Sequence, residues 1–198
     1  PGAKVPWNFY DMNIPSAWNT SQGDNITIAV IDTGSGDNQE NLTGSEFTGG
    51  WSGGRFIDRA STLVTGWWWW TSNDGPHDQC GHGTQMCGLA VGPRDDDGNS
   101  VGVAYKANLL AIRAVSDVVI SSSSETNGVR DAVVMAANRN DVRIMSMSIG
   151  AIFWNNTIAD AIYYAYYTRG KLMFAAAGTS TSFTNWYGVI FPATMYET

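Results

Sequence analysis

Positive charge is scarce in this chain. Eleven Lys and Arg stand against 18 Asp and Glu, a formal net charge of -7 over 198 residues. That balance excludes nucleic acid as the main partner, because phosphate binding draws on clustered basic side chains. Long apolar runs are also missing, and a membrane helix needs roughly 20 such residues. There are two cysteines, Cys80 and Cys87, and two histidines, His77 and His82. A structural zinc site is not expected from so few ligands. Cys80 and Cys87 flank His82, and their spacing fits either two buried thiols or a disulfide. No internal repeat or low-complexity linker occurs. The length suits one domain over residues 1–198. No leader-like run is expected, since Pro1-Gly2-Ala3-Lys4 opens into a globular pattern.

What is present is apolar and aromatic. Hydrophobic residues make up 43% and charged residues 15%, too apolar for a disordered chain. Low charge, an acidic balance and abundant Trp, Tyr, Ser, Thr and Gly fit a secreted protein. Asn19-Thr20-Ser21, Asn25-Ile26-Thr27, Asn41-Leu42-Thr43 and Asn155-Asn156-Thr157 match the glycosylation acceptor pattern, which has meaning only in a eukaryotic secretory host.

Buried strands are predicted over 26–31, 109–115, 142–149 and 172–176 from their β-branched and small apolar content. Helices are predicted over 82–91, 127–139 and 157–168. In the second, Val129, Ala132, Val133, Ala136 and Ala137 share one face. Residues 33–56, 71–81 and 94–99 read as loops, and 121–124 as a polar edge. Trp67 to Trp70 read as a strand passing from core to surface, with two rings on each side. Alternating strands and helices imply an α/β fold: three layers, with a mostly parallel, doubly wound sheet between helices. Chemistry in such a fold gathers beyond the carboxyl ends of the strands.

Asp32 ends the first strand, within Ala29-Val30-Ile31-Asp32-Thr33-Gly34. His82 opens the first long helix, within Gly81-His82-Gly83-Thr84. A histidine base needs a carboxylate on its far nitrogen to fix its tautomer and stabilise the imidazolium. Both residues sit at the ends of regular elements, where side chains are held rigidly. A second reading of Asp32-Thr33-Gly34-Ser35 is the aspartic-protease signature. It is rejected because no second Asp-Thr-Gly or Asp-Ser-Gly is present to share the proton. Gly34-Ser35-Gly36 is likewise rejected as a dinucleotide loop: the third glycine is missing and Asp37 would face the phosphates.

Five segments in order resemble the subtilisin-like serine proteases, or subtilases. They are the two motifs above, Gly102 to Val115, Met147-Ser148-Ile149-Gly150 and Phe174-Ala175-Ala176-Ala177-Gly178. The resemblance implies the three-layer fold and an Asp-His-Ser triad, with Asp32 orienting and His82 as base. It implies that a peptide or protein substrate adds as a strand between 115–122 and Ser148, Ile149 and Gly150. Ala176, Ala177 and Gly178 would form the other wall of the first specificity pocket. Ala176 and Gly178 are small, so that pocket is expected to take a large apolar side chain.

The chain departs from the family pattern in three places. No Gly-Thr-Ser-x-Ala-x-Pro run follows, and Gly178-Thr179-Ser180 continues as Thr181-Ser182-Phe183. The serine and the C-terminal part of the domain are therefore expected outside this chain, or on a second chain of a nicked enzyme. Thr179 stands where the family has an oxyanion asparagine. Asn41 stands where a calcium-binding aspartate is expected. No cofactor is required for this chemistry, and calcium remains a candidate through Asp74 and Asp78 or through Asp95, Asp96 and Asp97. A propeptide is a further partner the family suggests. The competing expectation is a pseudoprotease that keeps the fold as a binding module.

Overall fold

The computed structural model describes residues 3–36, 54–67, 70–94, 100–178 and 188–198. Two short helices, α1 (Trp7–Asp11) and α2 (Ile14–Ala17), precede β1 (Thr27–Asp32). Then come β2 (Phe56–Ser61), β3 (Val64–Trp67), β4 (Trp70–Asn73) and α3 (His82–Val91). The chain continues through β5 (Asn108–Arg113), α4 (Ser123–Asn138), β6 (Val142–Met147), α5 (Asn156–Tyr163) and β7 (Leu172–Ala175). Five strands form one sheet in the order β2-β5-β1-β6-β7, and every neighbouring pair is parallel. β3 and β4 form a separate antiparallel hairpin.

Side-chain alternation along β1 sorts the core into two faces. Ile28 and Val30 pack with Leu109, Ala111, Cys87 and Val91 beneath α3. Ala29 and Ile31 pack on the opposite face with Leu110, Ile112 and the apolar stripe of α4. Helices thus cover both faces, which gives the three expected layers. All five residues expected on the inner face of α4 are fully buried. Because period-2 alternation continues to the strand end, Asp32 projects to the same side as Val30, toward α3.

Several boundaries differ from the sequence reading. β2 lies partly in a segment read as loop. It is an edge strand with Asp58 and Arg59 at its middle and half-buried throughout, so it lacks the apolar signature of the central strands. Trp67 and Trp70 pair across the β3–β4 hairpin, so these two belong to two antiparallel strands and not to one; Trp68 and Trp69 lie outside the described residues. α4 starts at Ser123, four residues early, because Ser122 and Glu125 form a reciprocal capping box. The helix of 156–163 ends in a π-helical turn, Tyr164–Thr168. There Ala165 is fully buried, while Tyr166 is only half-buried.

Candidate active site

Asp32 is 1% exposed at the end of the central strand, and His82 begins α3 directly above it. His82 Nδ1 lies 2.8 Å from Asp32 Oδ1. The same oxygen accepts the Thr33 backbone N–H at 2.7 Å. Burial pushes the Asp32 carboxyl above its ordinary value; the hydrogen bonds from His82 and Thr33 oppose that shift without cancelling it. With Nδ1 committed to the carboxylate, Nε2 is the nitrogen left for proton transfer. The His82 side chain is 28% exposed, so a reactant can reach it.

The close approach of α3 to β1 depends on Gly83. A Cβ there would lie 2.3 Å from the Gly34 carbonyl oxygen. Thr33 completes the junction: its hydroxyl accepts the Gly83 N–H and donates to Asp78, both at 2.9 Å. Asp78 is a hub that sequence reading did not identify as such. Besides Thr33, its carboxylate accepts the backbone N–H groups of Cys80, Gly81 and Thr84 and the Thr84 hydroxyl. Burial alone would raise its pKa, but these donors, led by Thr84, outweigh burial and hold it below the ordinary carboxylate range. Arg113, 1% exposed at the end of β5, braces the same loop through the His77 carbonyl at 2.9 Å and Asp74 at 3.2 Å. The loop carrying His82 is therefore tied to the ends of two adjacent central strands.

Other site candidates fall at the strand ends as well. Ser148 is half-buried, while Ile149 and Gly150 are buried just past β6. Ala176, Ala177 and Gly178 are exposed just past β7. Residues 188–192 lie across both. Ile190 N–H donates to the Ala177 carbonyl at 3.0 Å, and Ala151 and Phe191 exchange two backbone hydrogen bonds. The segment read as the opposite side of a substrate slot pairs directly with Gly150. Ile120 N–H donates to Gly150 O at 2.8 Å, and Gly150 N–H to Val118 O at 3.0 Å. A substrate strand inserted there must first separate these two segments. Thr179 and Ser180 lie outside the described residues, as do Asn41 and Asp95 to Asp97.

The acidic pair Asp74 and Asp78 does not fit a hard cation. Asp78 is ringed by N–H and O–H donors, and Asp74 accepts from Thr65 and Arg113. Among the described residues no group of three His, Cys, Asp or Glu is placed to hold a metal ion. Cys80 is exposed and Cys87 buried, and both are free thiols. Burial pushes the Cys87 thiol far up, so it is inert packing between α3 and the sheet.

The model of the subtilase family matches residues 23–198 of this chain. The chain belongs to the subtilase family. Among curated relatives, thermitase of Thermoactinomyces vulgaris is 30% identical over 166 residues, covering 84% of this subtilase and 52% of thermitase. Mycosin-3 of Mycobacterium tuberculosis is 36% identical over 118 residues, covering 59% of this chain and 21% of that protein. Among solved structures, the MycP3 protease from the type VII (ESX-3) secretion system superposes with TM-score 0.63 at 27% identity. That match covers 96% of this chain and 54% of that one. Sphericase gives TM-score 0.63 at 27% identity, with 93% and 57% covered. This subtilase thus spans about half the length of thermitase and less of the other curated relatives named. Its parallel sheet between helices is the fold of these proteases.

Proposed function

We propose that this subtilase chain carries two members of the triad of a serine endopeptidase, with Asp32 orienting His82 and His82 acting as general base. The observation that carries the reading is the 2.8 Å contact between a buried carboxylate and His82 Nδ1. In the proposed reaction a serine hydroxyl attacks the scissile carbonyl carbon as its proton passes to His82 Nε2. The tetrahedral intermediate collapses, His82 returns the proton to the leaving amine, and water then hydrolyses the acyl-enzyme by the same proton route. The serine comes from a segment outside these 198 residues, in the same protein or on a second chain, because no run of the family's serine type occurs within them. Thr179 would offer its hydroxyl to the oxyanion. Ser148, Ile149 and Gly150 on one side and Ala176, Ala177 and Gly178 on the other would hold the substrate.

A secreted enzyme acting on proteins or peptides is the setting this reading favours, with a propeptide as a natural partner. Among the described residues no helix is long and apolar enough to cross a membrane. Calcium, if used, would not be held by Asp74 and Asp78 in the arrangement described above.

A fluorophosphonate probe on the full-length protein tests the reading. Covalent labelling of a serine, lost in His82→Ala, is the expected outcome. An intact fold without labelling would favour a binding module that has kept the fold.

A further inference from the structure

The two pocket walls meet a side chain that belongs to neither of them. A Cβ built on Gly150 would lie 2.3 Å from Ile190 Cδ1 and 2.9 Å from its Cγ1. A Cβ on Gly178 would lie 3.1 Å from both Cγ1 and Cγ2 of the same isoleucine, and 3.2 Å from Cδ1. Gly150 and Gly178 are one glycine on each wall. The space that both leave open is therefore the space the Ile190 side chain occupies.

Its backbone is fixed on both sides. Ile190 N–H is bonded to Ala177, past β7, and the next residue exchanges two hydrogen bonds with Ala151, past β6. Phe191 is 2% exposed and meets the Trp154 ring edge to face at 5.1 Å between centroids. A β-branched side chain on so constrained a backbone has little χ1 freedom. Ile190 itself is half-buried, so it is a surface of the gap and not part of the deep core.

Resting on the peptidase reading above, we propose that Ile190 is the specificity-determining floor of the first pocket and confines it to glycine- and alanine-sized side chains. The small residues Ala176 and Gly178 alone imply a roomy pocket. Ile190, arriving from a later segment, fills the room they leave. A leucine or phenylalanine entering from the substrate would compete with the methylene and two methyl groups of Ile190 for one space. Close-packed surroundings do not absorb that much volume without displacement. A single mismatched methylene already discriminates about 10–200-fold.

The test uses full-length protein and a set of internally quenched peptides that differ only at the residue preceding the scissile bond. Glycine and alanine peptides are expected to exceed leucine and phenylalanine peptides at least 100-fold in kcat/KM. In Ile190→Gly, and to a smaller degree in Ile190→Ala, the phenylalanine-to-alanine ratio of kcat/KM is expected to rise at least tenfold. A change in stability alone would lower both rates and leave that ratio unmoved. Wild-type protein that cleaves phenylalanine as fast as alanine, or a ratio unchanged in both variants, overturns the proposal. Fluorophosphonate labelling reports the peptidase reading separately, since the probe reacts with the serine whatever the pocket size. If labelling is absent, calorimetric binding of peptides ending in alanine or phenylalanine measures the pocket without turnover. There, tighter binding of the phenylalanine peptide to Ile190→Gly than to wild type supports the proposal. Equal binding overturns it.

Discussion

Asp32, proposed above to orient His82, occupies a position that opposes stability. It is buried, one of its oxygens has no hydrogen-bond partner among the described residues, and its pKa is raised by that burial. A carboxyl whose folded pKa is raised contributes stability that is complete below the ordinary value of 3.8 and is lost as pH rises through the higher folded value. At pH 7 the ionisation of Asp32 is therefore a cost to folding. On the peptidase reading, Asp32→Asn is expected to lower kcat of the full-length protein about 10⁴-fold, because the amide no longer enforces the tautomer of His82. Its Tm at pH 7 is expected to be equal to or above that of wild type. A fall in Tm of several degrees, measured by calorimetry, would contradict this account. The contact of Asp32 with His82 was legible because each stands beside glycines and small residues at the end of a periodic element. Asp78 was legible only as part of a polar loop: its importance lies in the donors that fold around it, among them Thr33 from 45 residues earlier.

At the scale of elements, α4 shows how a polar stretch becomes a fixed start point. Glu125 is 4% exposed and accepts from Ser116, Ser121 and Ser122, while Ser122 accepts from the Glu125 N–H. Burial raises its pKa, but the hydrogen bonds, led by that of Ser116, outweigh burial and set it below its ordinary value. Its stabilising contribution is therefore complete above the ordinary value of 4.5 and is lost as pH falls through the lower folded value. Glu125→Ala is expected to cost on the order of 3 kcal/mol, since charge-assisted hydrogen bonds contribute about 1.5–3 kcal/mol each and a cap about 1. Glu125→Gln should show a flatter loss of stability below pH 4.5 than wild type, read from denaturant midpoints across pH. Equal acid profiles for both proteins would remove Glu125 from this role. The Ser122-Ser123-Ser124-Glu125 spacing is itself a capping-box signature. The helix start was thus available in the sequence, and reading 121–124 as a polar edge passed over it. β2 offered no such signal, because an edge strand with Asp58 and Arg59 at its centre depends on its neighbour β5 for definition.

For the molecule as a whole, stability is expected to be graded from the sheet centre outward. β1 and β5 are buried along almost their whole length, and both lie between two other strands. The β3–β4 hairpin stands apart from that sheet, and all of β4 is exposed. Amide exchange followed by mass spectrometry should be slowest in β1 and β5 and faster by orders of magnitude in β4. Uniform protection of all strands would mean that the hairpin is held by contacts beyond those described. The three-layer plan could be read from the sequence because burial periodicity is local: period 2 in β1 and the i, i+3, i+4 spacing in α4 need only their own residues. The pairing of a strand-end aspartate with a helix-start histidine was likewise implied by motif and chain order. Tertiary structure alone decided what fills the space between those elements. Which side chain closes the gap between Gly150 and Gly178, and which donors surround Asp78, depends on segments far apart in sequence. Steric exclusion and hydrogen bonding act through space, and no local pattern encodes them.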